Sequence, residues 1–348
     1  MAGIPAKMKA VVVTAFGKPL QIRQVDVPKP TGHDILVEIS YSGLCGSDHH
    51  FWLGEWGGEL SRIPGHEGVG RVVAVGDAVD AVSLGDMVGI PYLHDTCRTC
   101  ESCLDGWESL CEDQRANGWH VDGTLAEYAL ADSRYVTGIP KNVDPAKAAP
   151  VLCAGLTVYK GLKLTRARPG QWVAICGVGG LGQLAILLAR AMGYRVVAVD
   201  ISDAKLQLAR KLGAEHAFNG RSQDVGRLVR EAVGGVHACV VAATSTAAYT
   251  QALTLLRIRG TLVMIGLPDG SFPVHVNDTA SRGLTIRGSV VGDSQDMKEV
   301  LELYASHNIP NIVDIEPVEN VNRIMGLMDK GELRGRVVFD LRRDKSKL

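Results

Sequence analysis

The chain has 348 residues, and this length favours two domains, each large enough for its own hydrophobic core. Hydrophobic residues make up 46% of the chain and charged residues 22%, and the formal net charge is −1. This composition is typical of a soluble globular protein, and it argues against nucleic acid or an anionic membrane as a partner.

The expected compartment is the cytosol. No signal-peptide or transit-peptide pattern precedes the strand-like residues 10–13, and no apolar segment reaches the roughly 18 to 20 residues needed to cross a bilayer. Because the cytosol keeps thiols reduced, the eight cysteines are more consistent with metal ligands or free thiols than with disulfides.

The first 150 residues predict strands and loops rather than long helices. Residues 10–40 alternate apolar and polar positions, with Pro28 and Pro30 between the runs, which is typical of antiparallel strands. Residues 69–76 form the clearest strand, and Gly85-Asp86 indicates a turn after it. We therefore expect a glycine-rich, mostly β domain that carries a functional site.

Metal-binding residue types are concentrated between these strands. Residues 45–50 read Cys-Gly-Ser-Asp-His-His and residues 65–67 read Gly-His-Glu, and we expect both stretches to lie in loops. Zinc binds Cys sulfur and His nitrogen, and a catalytic zinc keeps one position open for water or substrate. Cys45 and His66 would therefore supply two ligands, with a third further along the chain.

Four more cysteines follow in a segment with little periodicity. Their spacing is C-x2-C-x2-C-x7-C, and they are Cys97, Cys100, Cys103 and Cys111. Four thiolates can surround a tetrahedral zinc completely, so this pattern predicts a structural zinc in a lobe of residues 94–113. An iron–sulfur cluster, which also takes four cysteines, is the weaker alternative.

A dinucleotide-binding unit is predicted next. Residues 171–176 read as a buried strand and 181–191 as an apolar helix. The turn between them and the start of the helix carry four glycines, Gly177, Gly179, Gly180 and Gly182. In this strand–turn–helix context the glycines permit a tight turn, and the helix N-terminus can receive a pyrophosphate.

The cofactor predicted from this unit is NAD. The following strand, 195–199, ends at Asp200, whose carboxylate can accept hydrogen bonds from both adenosine-ribose hydroxyls and would repel a 2′-phosphate. NADP is therefore disfavoured. Lys205 lies close enough in sequence to be a second ribose contact, although an exposed helix lysine is an equally good interpretation.

The rest of the chain continues to alternate strands and helices, which predicts a six-stranded doubly wound parallel sheet. The further predicted strands are 216–218, 238–242, 261–266 and 284–288, and the helices are 203–212, 225–233 and 247–256. Residues 295–306 and 318–330 predict two more helices and 335–340 a closing strand. We expect this tail to return to the first domain.

Taken in order, these motifs resemble the zinc-dependent medium-chain alcohol dehydrogenases. The resemblance runs from about residue 8 to residue 340 and rests on Cys45-x-Ser47-Asp48-x-His50, Gly65-His66-Glu67-x-x-Gly70, the four cysteines, residues 152–157 (Leu-Cys-Ala-Gly-Leu-Thr) and the glycine turn. It implies a GroES-like catalytic domain of residues 1–154 and 290–348 and a Rossmann coenzyme domain of residues 155–289. The compact length resembles the shorter microbial branch, which implies a homotetramer.

The resemblance also implies residue roles. Cys45, His66 and Cys153 would hold the catalytic zinc, and Glu67 would approach it from behind as a transient ligand. Asp48 would orient the histidine ligand. Ser47 and His50 would form a proton relay, and Thr157 and Arg336 would contact the cofactor. The substrate pocket would be lined by Trp52, Trp56, Tyr92 and Leu267. Gly46 departs from the pattern, since many relatives carry His or Arg there against the pyrophosphate.

The implied reaction is the oxidation of an alcohol to an aldehyde or ketone, and its reverse, with two zinc ions and NAD. Zinc would lower the pKa of the bound alcohol, and the resulting alkoxide would expel a hydride to NAD. A polyol or cinnamyl-alcohol dehydrogenase is the alternative, but the polyol branch often has Glu in place of Cys153 and the cinnamyl type usually favours NADP. A zinc-free binding or structural relative would lack the metal ligands that this chain has.

Overall fold

The computed structural model describes residues 3–222, 224–310, 313–333 and 335–342. The chain forms two compact units. The first comprises Met1–Cys153, Asp293–Ala305 and Asn311–Leu348, and the second comprises Ala154–Gly292 and Ser306–Pro310. Along the sequence, the first unit ends at Cys153 and resumes at Asp293, and residues 306–310 belong to the second unit. The predicted domain boundaries at residues 154 and 290 stay a prediction.

The strands, in chain order, are β1 Lys7–Val12, β2 Gln21–Asp26, β3 Asp34–Gly43, β4 Gly68–Val75, β5 Met87–Ile90, β6 Leu93–Asp95, β7 Arg115–Ala116, β8 Tyr128–Asp132, β9 Thr137–Gly138, β10 Trp172–Cys176, β11 Arg195–Asp200, β12 His216–Asn219, β13 Val236–Val241, β14 Leu256–Met264, β15 Thr285–Gly288, β16 Val313–Pro317 and β17 Arg336–Asp340.

The α-helices are α1 Gly46–Leu53, α2 Glu101–Leu104, α3 Pro145–Ala148, α4 Ala154–Leu164, α5 Gly180–Ala191, α6 Asp203–Lys211, α7 Val225–Val233, α8 Thr246–Leu255, α9 Val276–Arg282, α10 Ser294–Ser306 and α11 Val321–Asp329. Short 3-10 turns cover Glu108–Leu110, Ala149–Leu152 and Val318–Asn320. In the described part of the chain, no helix has both the length and the apolar character to cross a membrane.

The first unit is organised around β3. This strand pairs antiparallel with β4, β8 and β17, and the sheet continues from β4 through β5 to β9 and from β17 to β16. Ile35, Leu36 and Val37 of β3 are almost completely buried in a core that also includes Phe51 of α1 and Phe339 of β17. The chain tail thus returns to this unit, as predicted, and fixes the strand that leads into residues 44–50.

The second unit is a six-stranded parallel sheet, which confirms the predicted doubly wound architecture. The strand order is β12-β11-β10-β13-β14-β15, so the order reverses between β10 and β13. In open sheets of this kind, ligands bind outside the carboxyl ends of the strands at the reversal point. The glycine-rich turn follows the carboxyl end of β10, which places it where a nucleotide is expected.

Two local predictions were wrong. Residues 46–53 form helix α1 rather than a loop, and the predicted helix 318–330 is a 3-10 turn followed by the shorter α11. Helix α1 has no apolar periodicity that would have revealed it. It begins because the carboxylate of Asp48 accepts a hydrogen bond from the backbone N–H of Cys45 at 2.9 Å, which satisfies one of the unpaired donors at the helix start.

Candidate active site and metal centres

Four buried side chains of the first unit converge on one point. Cys45, His66, Glu67 and Cys153 each offer one ligand atom, and these atoms all lie within 4.8 Å of one another. Cys45 precedes α1, His66 and Glu67 precede β4, and Cys153 follows the 3-10 turn Ala149–Leu152. The structure thus brings together the donors expected at a catalytic zinc, two of which were identified from residue chemistry and two only through the family resemblance.

The sulfur geometry of this cluster fits a tetrahedral zinc. The Sγ atoms of Cys45 and Cys153 are 3.7 Å apart. A disulfide would bring them to about 2.05 Å, whereas two sulfurs at about 2.3 Å from a tetrahedral zinc lie about 3.8 Å from each other. The donor set of two thiolates, an imidazole and a carboxylate is also the mixture that zinc prefers, so the residues present fit the metal.

Asp48 aims the imidazole of His66 at the cluster. The Nδ1 atom of His66 lies 3.2 Å from Oδ1 of Asp48, while its Nε2 atom is buried and has no hydrogen-bond partner. Asp48 is itself held by the backbone N–H groups of Cys45 and Gly65, at 2.9 and 3.0 Å. An orphaned buried nitrogen is costly unless something binds it, so Nε2 is the atom available to a metal.

The electrostatics of the cluster favour the metal-binding form of one thiol. A hydrogen bond from Cys153 lowers the pKa of Cys45 well below its ordinary value; burial acts in the opposite direction, and His66 adds to the lowering. The thiolate, rather than the thiol, is the metal ligand. Burial raises the pKa of Glu67 to about 7, although the nearby charge of Arg336 acts against this rise.

Glu67 is held by Arg336, a partner that the sequence did not reveal. Nη2 of Arg336 donates hydrogen bonds to both carboxylate oxygens of Glu67, and both side chains are buried. On another side Glu67 packs against β3, since a Cβ atom on Gly43 would lie 2.0 Å from Oε2 of Glu67. The predicted contact between Arg336 and the cofactor pyrophosphate stays a prediction, because the contact described for its guanidinium is with Glu67.

The four lobe cysteines also form a cluster, with ligand atoms within 4.8 Å of one another. Sγ of Cys97 lies 3.5 Å from that of Cys111 and 3.9 Å from that of Cys103. Backbone N–H groups point at the sulfurs, because Cys100 donates to Cys97 at 3.3 Å and Cys97 donates to Cys111 at 3.5 Å. Hydrogen bonds from the segment around Thr99 and Cys100 lower the pKa of Cys97 to about 6. The lobe therefore fits a closed, structural zinc site.

The two residues predicted to form the proton relay lie in α1. Ser47 and His50 are three positions apart, so they share one face of the helix. Gly46, before them, is exposed, and a Cβ atom there would have no neighbour within 4 Å. Between the two, the Nε2 atom of His49 lies 3.2 Å from a carboxylate oxygen of Asp329.

The predicted pocket residues are in varied surroundings. The ring of Tyr92 meets that of His66 edge to face, with 5.6 Å between their centroids. Trp52 instead donates its indole N–H to the backbone carbonyl of Lys18 at 2.6 Å. Trp56 is 39% exposed, and Leu267, in the second unit, is 55% exposed. Of these residues, Tyr92 is the one that contacts a metal-cluster side chain in the described structure.

In the second unit, the glycine turn has the shape of a phosphate cradle. Gly177 has a φ of +94°, and a Cβ atom there would lie 2.8 Å from the backbone nitrogen of Ala243. A Cβ atom on Gly182 would lie 1.9 Å from the carbonyl oxygen of Gly177, whereas one on Gly179 would have no neighbour within 4 Å. Two glycines are thus required by packing, and the third leaves open space at the start of α5, where Gly180 is the first residue.

Asp200 is placed to accept further hydrogen bonds beside this turn. Its carboxylate accepts from the backbone N–H of Val178 at 2.7 Å and from that of Ser202 at 2.9 Å, one to each oxygen. Since a carboxylate oxygen can accept two hydrogen bonds, each oxygen retains capacity for a ribose hydroxyl. Lys205 is exposed on α6, and Thr157 is buried in α4. Their cofactor contacts stay predictions.

Comparison with known proteins agrees with both units. The family model described as the Alcohol dehydrogenase GroES-like domain matches residues 31–141, and the one described as Zinc-binding dehydrogenase matches residues 180–306. An alcohol dehydrogenase of Moraxella sp. (strain TAE123) is 48% identical over 335 residues, which span 96% of this chain and 99% of that protein.

Solved structures are similar over nearly the whole chain. The alcohol dehydrogenase of the archaeon Aeropyrum pernix has a TM-score of 0.86 at 32% identity, covering 95% of this chain and 99% of its own. The acetophenone reductase of Geotrichum candidum, solved in complex with NAD, has a TM-score of 0.86 at 28% identity, covering 97% and 98%. The predicted fold class and family are confirmed. This chain belongs to the zinc-dependent medium-chain alcohol dehydrogenases.

Proposed function

We propose that the chain oxidises primary alcohols to aldehydes with NAD and zinc, and catalyses the reverse reduction. The observation that carries this proposal is the convergence of Cys45, His66 and Cys153, with the unpartnered Nε2 of His66 among them. When bound there, zinc supplies a Lewis acid that makes a hydroxyl group acidic near neutral pH. The Moraxella and Aeropyrum pernix relatives are both named alcohol dehydrogenases, which supports the same function.

The chain's own residues would divide the remaining work. Cys45, His66 and Cys153 hold the metal, and Asp48 keeps the imidazole of His66 in its ligating orientation. The hydroxyl of Ser47 takes the proton of the alcohol as it gives up its own, and the imidazole of His50 receives the relayed proton and delivers it to solvent. The glycine turn and Asp200 bind the cofactor and orient it.

We propose NAD rather than NADP, and two zinc ions for each chain. Asp200 supports NAD, because its buried carboxylate lies at the end of β11, where a 2′-phosphate would meet its negative charge. The two separate four-donor clusters support the count of two zinc ions. Cys153, as the third ligand, favours this function over that of a polyol dehydrogenase.

We also propose a homotetramer in the cytosol. The length shared with the microbial relatives supports the tetramer, since 99% of the Moraxella protein is covered. The eight free thiols support a reducing compartment. Sedimentation velocity would measure the assembly state, and a single species with the mass of a monomer or dimer would contradict the tetramer.

The decisive experiment is an NADH absorbance assay over a panel of alcohols and aldehydes. We expect NADH formation with primary alcohols and NAD, a lower kcat/KM with NADP, and loss of activity in Cys45→Ala. Cys239→Ala is the matched control, because Cys239 is buried in β13 outside both clusters. The proposal would be rejected if Cys45→Ala kept the activity of the wild type, or if no alcohol on the panel reduced NAD.

A further inference from the structure

The relay residue His50 is held on one edge by Glu55. Nδ1 of His50 lies 2.5 Å from Oε2 of Glu55. The two residues are also joined through the backbone, since the N–H of Glu55 donates to the carbonyl of His50 at 3.1 Å. Gly54 makes this return possible: it ends α1 in the left-handed conformation with a φ of 75°, which reverses the chain and brings Glu55 back to the helix.

The face of the same ring is held by a stack of indoles. Trp56 lies parallel to His50, with 4.2 Å between ring centroids and 16° between ring planes. Trp119 stacks with Trp56 in turn, at 5.4 Å and 11°. Offset stacking of this kind favours one ring orientation. The imidazole of His50 is therefore restricted both in its plane and about its χ angles.

The contact with Glu55 determines which nitrogen of His50 can take a proton. A carboxylate only accepts hydrogen bonds, so the hydrogen of the neutral imidazole is on Nδ1. The lone pair is then on Nε2. The hydrogen bond at one ring nitrogen commonly sets the state of the other, and an imidazole that must act as a base needs this tautomer to be fixed.

We propose that Glu55 is a positioning residue of the proton relay. It holds His50 in the tautomer whose Nε2 takes the proton released by the alcohol. Nδ1 keeps its hydrogen throughout, and the imidazolium that forms stays paired with the carboxylate until Nε2 gives the proton up to water. This inference rests on the proposed function, because it presumes that His50 belongs to a relay.

A double-mutant cycle tests the proposal. The variants are Glu55→Ala, His50→Gln and the two combined, with kcat, KM and the transient rate of NADH formation measured for each. We expect Glu55→Ala to lower kcat about tenfold, a fraction of the 10²- to 10⁴-fold that a positioned acid–base group contributes, with each KM within about twofold of the wild type. In the His50→Gln background the same substitution should have no further effect, because the ring that it positions is gone.

The matched control is Glu59→Ala. Glu59 is also an exposed, paired carboxylate of the first unit, with Arg62 as its partner at 2.6 Å. Its substitution should leave kcat unchanged. Glu55→Gln, which keeps the size of the side chain, repeats the cycle if Glu55→Ala lowers Tm. An equal loss of kcat in both backgrounds, or no loss in either, would overturn the inference while leaving the dehydrogenase function standing. A wild-type protein that reduces no NAD with any alcohol would overturn both.

Discussion

The two four-donor clusters of the first unit are built in opposite ways. The lobe takes Cys97, Cys100, Cys103 and Cys111 from one short segment, and three of the four are partly exposed. The other cluster is completely buried, and its two sulfurs are 108 positions apart in sequence. A cluster of the first kind can close locally, whereas the second kind forms only when the strands and helices that carry it have come together.

The two clusters also differ in what surrounds the donors. In the lobe, backbone N–H groups point at the sulfurs of Cys97 and Cys111. In the buried cluster, charged side chains surround the donors: Asp48 faces His66, and Arg336 faces Glu67. Charges in a dry interior act strongly on one another. The buried cluster is therefore suited to chemistry, and the lobe to holding its segment together.

The largest expected difference follows from removing one sulfur of the buried cluster. Cys153→Ala should lower kcat/KM for alcohol oxidation by roughly 10³-fold or more, because the Lewis acid contributes several kcal/mol to the transition state. Zinc content, measured by mass spectrometry of the metal, should fall from about two to about one per chain. If the variant retained both zinc ions, the assignment of Cys153 to a metal site separate from the lobe would be contradicted.

The next effect concerns the buried ion pair. Arg336→Leu should lower the free energy of unfolding by about 3 to 5 kcal/mol, because it leaves the carboxylate of Glu67 buried without its partner. The control is Arg115→Leu, whose partner Asp95 lies near the surface, and about 1 kcal/mol or less is expected there. Urea denaturation measures both, and equal values would show that burial of the cluster has no energetic consequence.

A smaller effect is expected from the orienting carboxylate. Asp48→Asn should weaken zinc binding at the buried cluster by about 10- to 100-fold, since the residue that orients a ligating histidine typically contributes this much. In competition with a chromophoric chelator, one zinc ion per chain should be bound more weakly than in the wild type, and the other should be bound as tightly as before. Added zinc should restore part of the lost activity. Equal weakening of both zinc ions would contradict the assignment of Asp48 to His66.

The smallest effect on catalysis is expected from the lobe. Cys103→Ala should release the lobe zinc and lower Tm by several degrees, as expected when a metal that binds only the folded state is lost. For the molecules that stay folded, kcat should remain within about threefold of the wild type. A loss of activity as large as that of Cys153→Ala would show that the lobe is not merely structural.

The sequence revealed most where the signal is local. The cysteine spacing predicted the lobe donors, and the strand–glycine–helix pattern predicted the nucleotide turn and the six-stranded sheet, because each of these is encoded within a few tens of residues. Cys45 and His66 were identified by their chemistry. Cys153 required the family resemblance, since nothing near it in sequence indicates a metal.

The structure was needed where distant residues meet. Arg336 contacts Glu67 across 269 positions, and no local pattern of charge predicts this pair. Helix α1 was missed because its residues have no apolar repeat, and a cap formed by Asp48 on Cys45 does not match the usual Ser or Thr signal. Glu55 was overlooked because its approach to His50 depends on the left-handed turn at Gly54.

Asp48 has a consequence for how this region could change during evolution. One carboxylate both starts helix α1, through the N–H of Cys45, and aims the ring of His66. A replacement that could still accept from the N–H of Cys45, such as Glu or Gln, has a longer side chain and would lose the orientation of the ligand. The position is therefore subject to two independent constraints. Substitutions at Asp48 should be accepted less often than they would be if the residue had only one of these tasks.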